Sequence, residues 1–256
     1  DSFFLIMPVL WVPCQIAILI WGAWLIQGDV LPLWQKMGLG FSIAVMTGSG
    51  IIIAHEFGHR HNAWERTLAK ILLASVSYMH FIIEHNLGHH TRVATPEDPS
   101  SARQGENFYA FWLRSVGGSY LSAWRIELAR LRHKGYSIWG WHNQMLWFAL
   151  IPVAIGVAFY YFMGLYALLF FVVQSFFAFS MLELINYIEH YGLVREKKVN
   201  GEYEPVSTRH SWNANQLLSN LYMIHLERHS DHHHNPTLRY QLLSHRDESP
   251  QLPGGY

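Results

Sequence analysis

This sequence is poor in cysteine and in charge. Its 256 residues include one cysteine, Cys14, so a disulfide framework within the chain is excluded. Because Cys14 lies in an apolar run, we expect it to be a buried, unreactive thiol. Charged residues make up 14% of the chain, well below the roughly 25% found in ordinary soluble domains. The formal net charge is zero, so bulk charge gives no reason to expect nucleic acid as a partner.

Long apolar runs take the place of the missing charge. A membrane-spanning helix needs about 20 mostly apolar residues. The runs that meet this length are 3–26, 37–54, 145–163 and 165–188. A shorter apolar run at 68–83 is predicted to form a buried or half-inserted helix that leads into the second histidine cluster. The sequence therefore predicts an all-α, integral-membrane helical bundle with about four clear spans, and we assign residues 1–256 to a single domain.

Basic residues are concentrated in two polar segments, 91–143 and the part of the chain after Gly192. Two predicted spans separate these segments, so both lie on the same side of the membrane. An excess of Lys and Arg is typical of the cytoplasmic side, which predicts a cytoplasmic cap on the bundle. The chain starts at Asp1 inside an apolar run and stops at Tyr256, and we expect it to be truncated at both ends.

Histidine is the residue type that carries the chemistry. The chain has 17 histidines, and most of them lie in four short clusters at or after the ends of apolar runs. The clustered histidines are His55, His59, His85, His89, His90, His190, His229, His232 and His233. Neutral imidazole is the commonest biological metal ligand and suits iron, zinc and copper. Nine ligands are too many for one ion and reasonable for two.

The spacing within the clusters predicts which imidazoles meet. Residues at i, i+3 and i+4 share a face of a helix. On that rule the His55 and His59 side chains point together, as do those of His85 and His89. The three histidines at 229, 232 and 233 are likewise predicted to aim at one point. His90 follows His89 directly, so we assign it to a second ion.

Acidic residues beside the histidines are the expected acceptors for the imidazole N–H groups that face away from a metal. Those adjacent to the clusters are Glu56, Glu84, Glu189 and Asp231. Glu183 and Asn186 lie within the last span, on roughly the same side as His190. An ionisable residue inside a membrane span is by default functional. For Glu183, simple structural pairing and a role at the metal site are equally open.

Other interpretations of the histidines have to be weighed. Packing roles are expected for His61, His133, His142, His210 and His245, whereas His80, His225 and His234 are left open. The segment His55–His59 also matches the zinc-protease pattern H-E-x-x-H, but a protease would leave the remaining clusters unexplained. A histidine-rich membrane metal carrier is the non-enzymatic alternative. It predicts ligands spread across the bilayer, whereas these gather on one side.

The cluster pattern H-x(3)-H, H-x(3)-H-H and H-x(2)-H-H resembles the integral-membrane desaturase and hydroxylase superfamily. Segment 186–193, Asn-Tyr-Ile-Glu-His-Tyr-Gly-Leu, looks like the signature of its bacterial alkane 1-monooxygenases. Segment 226–233, Leu-Glu-Arg-His-Ser-Asp-His-His, is similar to the final cluster of that family. The segments 95–103 and 249–256 also look like family segments, so the resemblance covers nearly the whole chain.

This resemblance implies a di-iron enzyme of the bacterial inner membrane, with its active site on the cytoplasmic side. The nine clustered histidines would be both the iron ligands and the catalytic centre. Molecular oxygen would be the oxidant, and rubredoxin with its reductase would supply electrons. The reaction implied is terminal (omega) hydroxylation of medium-chain n-alkanes to 1-alkanols. An alkyl-aromatic side-chain hydroxylase or a fatty-acyl desaturase is the alternative within the superfamily.

The resemblance also implies six spans, so this chain departs from the family as though the first two spans were missing.

A substrate channel is expected between the spans. An alkane has no polar group, so a site selects it by shape and by burial. Burial contributes about 0.8 kcal/mol of free energy for each methylene. Small residues before His55 and aromatic residues of the last span are the expected walls. They are Gly48, Gly50, Phe176, Phe177 and Phe179.

Overall fold

Long helices dominate the computed structural model, which describes residues 2–28 and 31–256. The helices are α1 (Ser2–Gln27), α2 (Leu33–Gly58), α3 (Ala63–Ser75), α4 (Phe81–Glu84), α5 (His90–Arg92), α6 (Phe108–His133), α7 (Gln144–Met163), α8 (Leu165–His190), α9 (Leu217–Tyr222) and α10 (His229–His234). A π-helical turn, His85–His89, joins α4 to α5. Within the described residues, extended pairing is limited to isolated bridges. The all-α prediction is confirmed.

Four of these helices are long and apolar enough to cross a membrane. They are Phe3–Gln27, Leu33–Gly58, Gln144–Met163 and Leu165–His190. Each of these helices contains one of the four predicted apolar runs. The second and fourth helices continue past the end of the run into a histidine cluster. A helix keeps its backbone hydrogen bonds internal, which is why it is the form that such runs adopt in lipid.

The buried or half-inserted helix predicted at 68–83 was wrong in its bounds. Helix α3 runs from Ala63 to Ser75, and α4 starts only at Phe81. Ser77 between them has a φ of 55°, a left-handed conformation that ends a right-handed helix. The chain therefore turns before it reaches the second histidine cluster.

Cys14 was also predicted wrongly, because its side chain is exposed on α1. Helix α1 is apolar on all sides, so residue type alone does not say which face is covered by protein. Its neighbour Gln15 is buried and polar, the reverse of what hydrophobicity predicts. Exposure of an apolar thiol costs little where the surroundings of the helix are apolar.

The chain forms two compact units, each built from two separate segments. The first comprises Asp1–Ile82 and Glu127–Leu182, and the second comprises Ile83–Ile126 and Glu183–Tyr256. The core of the first unit is apolar and includes Leu19, Ile43, Phe159 and Phe170. The second unit buries mostly polar groups, among them His85, His89, His190 and His229.

A buried polar network ties four helices of the first unit together. The Thr47 hydroxyl donates to Gln174 Oε1 at 2.8 Å, and Gln174 Nε2 donates to the Ser75 carbonyl at 2.9 Å. Gln15 Nε2 donates to the Ser75 hydroxyl at 2.8 Å. These bonds connect α1, α2, α3 and α8. Because lipid offers no partner to a polar group, side chains in such helices bond across to one another.

We expect the Thr47→Val substitution to destabilise the protein by about 0.6 to 1.7 kcal/mol, the range for hydrogen bonds between membrane helices. The variant keeps the side-chain volume but leaves Gln174 Oε1 without its donor. Denaturant unfolding in detergent micelles measures the change. The matched control is Ser42→Ala, because the Ser42 hydroxyl is exposed and bonds within its own helix to Gly38. Equal stabilities of the two variants would contradict the role assigned to Thr47.

Candidate metal centre

Four histidines of the second unit converge on one point. The ligand nitrogens of His89, His190, His229 and His233 all lie within 4.8 Å of one another, and all four residues are buried. His233 Nε2 lies 3.0 Å from His229 Nε2 and 3.3 Å from His89 Nε2. His229 Nε2 lies 3.2 Å from His190 Nε2. We call these residues the four-histidine cluster.

Protonation of the outer ring nitrogens decides what the cluster can bind. His190 Nδ1 lies 3.2 Å from the carbonyl oxygen of His210, which only accepts hydrogen bonds, so Nδ1 carries the proton. His89 Nδ1 faces the Asp98 carboxylate at 2.8 Å in the same way. When each ring is neutral, its Nε2 atom then presents a lone pair to the centre of the cluster. Converging lone pairs repel unless a cation lies between them, so the donor set fits a metal ion.

The charge states of nearby groups are consistent with metal ligation. Burial lowers the pKa of His233 well below its ordinary value, and the neighbouring histidines lower it further, so this ring is neutral as a ligand must be. Burial alone would raise the pKa of Asp98, but the charge and hydrogen bond of His89, with a hydrogen bond from Ser101, hold it at about 2. Asp98 is therefore an ionised acceptor beside the cluster.

Three further histidines of the second unit form a second group, which we call the three-histidine cluster. His90 Nε2 lies 3.0 Å from His85 Nε2 and 3.2 Å from His232 Nε2. His85 and His232 are buried, and His90 is half-buried. The contacts again join Nε2 atoms, so these rings also aim one nitrogen each at a shared point.

The division between the clusters differs from the one that helical spacing predicts. His85 and His89 are four residues apart, yet His85 groups with His90 and His89 with the other cluster. The π-helical turn at 85–89 is the reason, because it brings residue i over residue i+5. Helix α10 likewise serves both clusters: His229 and His233 share one face, and His232 points to the other cluster.

The remaining two histidines lie in the first unit at the C-terminal end of α2. The rings of His55 and His59 have centroids 4.9 Å apart and are nearly perpendicular. Their i, i+4 spacing places them together as predicted.

Three of the predicted carboxylate acceptors pair with arginines. Glu84 lies 2.7 Å from Arg92, and Asp231 lies 2.7 Å from Arg246 and also accepts from the Ser244 backbone N–H. Glu56 lies 2.6 Å from Arg60, one helical turn away. Burial and then the charge of Asp98 raise the pKa of Glu84 to about 7.

The other three predicted polar groups lie on α8. Glu189 Oε2 is 3.2 Å from His229 Nε2, so it faces the nitrogen that points into the cluster rather than the outer one. Glu183 accepts a hydrogen bond of 2.5 Å from the Ser115 hydroxyl, and Asn186 Nδ2 lies 3.4 Å from the same carboxylate. These contacts favour structural pairing for Glu183.

Sequence reasoning missed Asp98, the carboxylate that holds His89. Its position is fixed by the Ser101 hydroxyl, which donates to Oδ2 at 2.6 Å, and by the Ser100 backbone N–H, which donates to Oδ1 at 3.1 Å. Asp98 stands nine positions after its histidine, beyond α5 and a turn, so no helical spacing relates the two. The only sequence signal was its place within the segment 95–103.

The predicted channel walls lie apart from the large apolar cavity of the first unit. This cavity of about 490 Å³ is lined by residues of α1, α3 and α7, including Leu19, Ile71 and Phe159. The predicted walls belong to α2 and α8 instead. Phe176 and Phe177 are exposed, and Phe179 stacks on Tyr78 with ring centroids 4.9 Å apart.

The two glycines among the predicted walls are packed against neighbouring helices. A Cβ on Gly50 would overlap the side chain of Gln15, and one on Gly48 would lie 3.4 Å from the Ala178 carbonyl. A large side chain at Gly50 would therefore disrupt helix packing, so such a variant is a poor probe of chain length.

Known proteins resemble this chain along most of its length. The fatty acid desaturase family model matches residues 32–254. The chain belongs to this family. It is 42% identical over 263 aligned residues to alkane 1-monooxygenase 1 of Pseudomonas aeruginosa, covering all of this chain and 68% of that protein. It is 41% identical over 256 residues to alkane 1-monooxygenase 1 of Alcanivorax borkumensis, covering 63% of that protein.

A more distant relative is the hydroxylase component of xylene/toluene monooxygenase from Pseudomonas putida. The identity is 28% over 220 residues, which cover 86% of this chain and 58% of that protein. The higher identity to the alkane 1-monooxygenases places the chain among them within the desaturase family. The chain spans about two thirds of the length of these curated relatives.

We expect Asp98→Asn to weaken metal binding about 10- to 100-fold, the usual effect of losing a partner of a metal-bound histidine. The amide has the same shape but no charge, so it holds the His89 proton less firmly. Titration of the metal-free protein with ferrous iron, followed by equilibrium dialysis, measures the affinity. Asp247→Asn is the matched control, because that side chain is 97% exposed. An affinity equal to that of the control would exclude Asp98 from positioning His89.

Proposed function

We propose that this protein hydroxylates medium-chain n-alkanes at the terminal carbon, giving 1-alkanols, with molecular oxygen as oxidant. The observation that carries the proposal is the pair of buried imidazole clusters in a chain that belongs with the alkane 1-monooxygenases. Membership in the family supports the substrate class. The clusters support the chemistry, because activation of oxygen needs a redox-active metal.

Two iron ions are the proposed cofactors. Ligand sets made only of neutral imidazoles suit borderline metals, and oxygen chemistry requires iron or copper in place of redox-inert zinc. The four-histidine cluster would hold one ion. The three-histidine cluster would hold the other, and we assign His55 and His59 to it as further ligands because the nine histidines form one set in the sequence pattern. When bound, iron would supply the electron transfer to oxygen.

The protein's own residues would fix the ligands and exclude water. Asp98 and the His210 carbonyl hold the protons of His89 and His190 on Nδ1, so each ring can offer only Nε2 to a metal. The four-histidine cluster is completely buried, which keeps bulk water from a reactive centre. The carboxylate of Glu189 lies close to His229 on the inner side of the ring. It would supply negative charge beside the proposed ion of the four-histidine cluster once that ion binds.

Selection of an alkane has to come from apolar burial, at about 0.8 kcal/mol for each methylene. The cavity between α1, α3 and α7 is lined by aliphatic and aromatic side chains, and it supports an apolar substrate that enters from lipid. Hydroxylation at the end of the alkane would follow because an extended alkane brings its terminal carbon to the metal centre before its other carbons. The relative named for xylene and toluene is less similar, so an alkyl-aromatic substrate is the second candidate.

The proposed location is the bacterial inner membrane, with the metal centre on the cytoplasmic side. The four apolar helices support a multi-pass membrane protein. The side is inferred from the basic residues in segment 91–143 and after Gly192, which the positive-inside rule assigns to the cytoplasm.

The reaction itself can be tested in membranes supplied with n-octane, oxygen and an electron donor. We expect 1-octanol as the main product and about two irons per chain if both sites fill.

His190→Ala should abolish turnover. His142→Ala should retain most of it, because His142 stacks on Tyr136 with ring centroids 3.8 Å apart and has a packing role. Stoichiometric zinc in an active preparation would exclude the iron centre. Mainly secondary alcohols, or double bonds in acyl chains, would exclude terminal hydroxylation.

Rubredoxin, with its reductase, is the proposed electron donor. Its acidic surface would complement exposed basic residues at the C-terminal end of α6, such as Arg132 and Lys134. Charge complementarity mainly raises the encounter rate and is screened by salt. We expect rubredoxin-limited turnover to fall as ionic strength rises, and Arg132→Glu with Lys134→Glu to raise the rubredoxin concentration needed for half-maximal rate.

The matched control for this pair is Lys36→Glu, at the end of α2 away from His55. On the proposed topology Lys36 lies on the opposite side of the membrane and should not affect the donor. If salt and the double variant leave the rubredoxin requirement unchanged, docking by these residues is excluded. An equal effect of Lys36→Glu would exclude the proposed orientation.

A further inference from the structure

Helix α6 carries several large apolar residues on its outer side. Tyr109 is 80% exposed, Leu113 is 69% exposed and Leu121 is 54% exposed. Tyr120 is exposed and Trp124 half-buried, and at 3.6 residues per turn all five fall on one broad side of the helix. This side carries no charged residue from Tyr109 to Trp124, apart from the flanking Arg114 at its margin.

The buried side of the same helix carries serines beside the apolar Phe111 and Ala123. Ser115 is fully buried, and Ser119 and Ser122 are nearly so. The Ser115 hydroxyl donates to Glu183, Ser119 Oγ lies 3.3 Å from Ser100 Oγ, and Arg92 donates to Ser122 Oγ at 2.6 Å. The inner face of α6 is therefore held by hydrogen bonds within the second unit.

The outer side of α6 differs from that of a helix that faces water. A water-exposed helix buries its apolar side chains, since each buried leucine contributes about 1.5 to 3 kcal/mol. Helix α6 gives up that contribution at Leu113 and Leu121, although it buries Phe111 and Ala123 together with three serines. An apolar outer face is stable when it meets an apolar phase instead of water. Since the same chain has four helices suited to a membrane, the available apolar phase is the bilayer.

The residue types on the outer face indicate the depth in the bilayer. Tyrosine and tryptophan are enriched where hydrocarbon meets headgroups. Arg125 is exposed beside this face, where a guanidinium can bind lipid phosphate. Arg114 and Glu106 form an ion pair of 2.6 Å near the start of the helix, and α6 is not among the four helices apolar enough to cross. These charges suit the interface and not the hydrocarbon centre.

We propose that the face of α6 formed by Tyr109, Leu113, Tyr120, Leu121 and Trp124 lies in the lipid interface, with the helix axis along the membrane plane. The metal-bearing unit is then in contact with lipid through α6. The proposal rests on burial and residue type alone, so it stands or fails independently of the enzymatic activity.

Site-directed spin labelling of the full chain tests the proposal. Cys14→Ser removes the native thiol, and Leu113→Cys or Leu121→Cys then introduces a single labelling site on the outer face. Val199→Cys is the matched control, because this aliphatic residue of the second unit is fully exposed beside Lys197 and Lys198. Each nitroxide-labelled protein is reconstituted in vesicles of phosphatidylcholine and phosphatidylglycerol. Collision with oxygen, which concentrates in lipid, is compared with collision with a water-soluble nickel chelate.

We expect the ratio of oxygen to nickel accessibility at positions 113 and 121 to exceed that at position 199 several-fold. A ratio at 113 and 121 equal to the control would show that the face meets water, and would overturn the proposal. Low accessibility to both reagents would show that protein covers the face, in a second copy or another segment, and would overturn it as well. Circular dichroism of each labelled variant, compared with the unlabelled protein, confirms that its helices are folded.

Discussion

Convergence of imidazole nitrogens in a buried interior is the constraint on which this structure depends. The Nε2 atoms of His229, His233 and His190 approach to 3.0 to 3.2 Å, and the outer nitrogen of His190 has its proton fixed by a carbonyl. Such a group of lone pairs is unfavourable by itself and favourable around a cation. The surrounding fold therefore has to hold the rings in place before a metal arrives, as Asp98 does for His89 and the His210 carbonyl does for His190.

Local helix geometry divides the histidines between two points. The π-helical turn at 85–89 separates His85 from His89, although regular spacing would put them together. Helix α10 is only six residues long, yet it supplies the four-histidine cluster from one face and the three-histidine cluster from another. One short helix that serves both clusters fixes their separation more firmly than two independent elements would.

Polar groups are inside and apolar groups outside in several parts of this protein. Thr47 and Gln174 bond to each other within the spans, and Ser115 bonds to Glu183 within the second unit. Cys14, Phe176 and Leu113 are exposed instead. A protein in water gains stability from the opposite arrangement. In lipid the apolar exterior costs nothing, and the inward polar groups become the specific contacts between helices.

The sequence by itself determined the spans, the nine histidines and the family. Runs of apolar residues specify membrane helices because lipid leaves the backbone no other way to satisfy its hydrogen bonds, and clustered histidines have no packing explanation. Tertiary structure alone decided which imidazoles share a centre and which acceptors hold them. The partner of His89 is Asp98, across a turn, and the partner of His190 is a backbone carbonyl, which any residue could supply. The sequence also did not predict the exposed apolar face of α6, because a mixed sequence of serine, leucine and tyrosine does not indicate whether its surroundings are water or lipid.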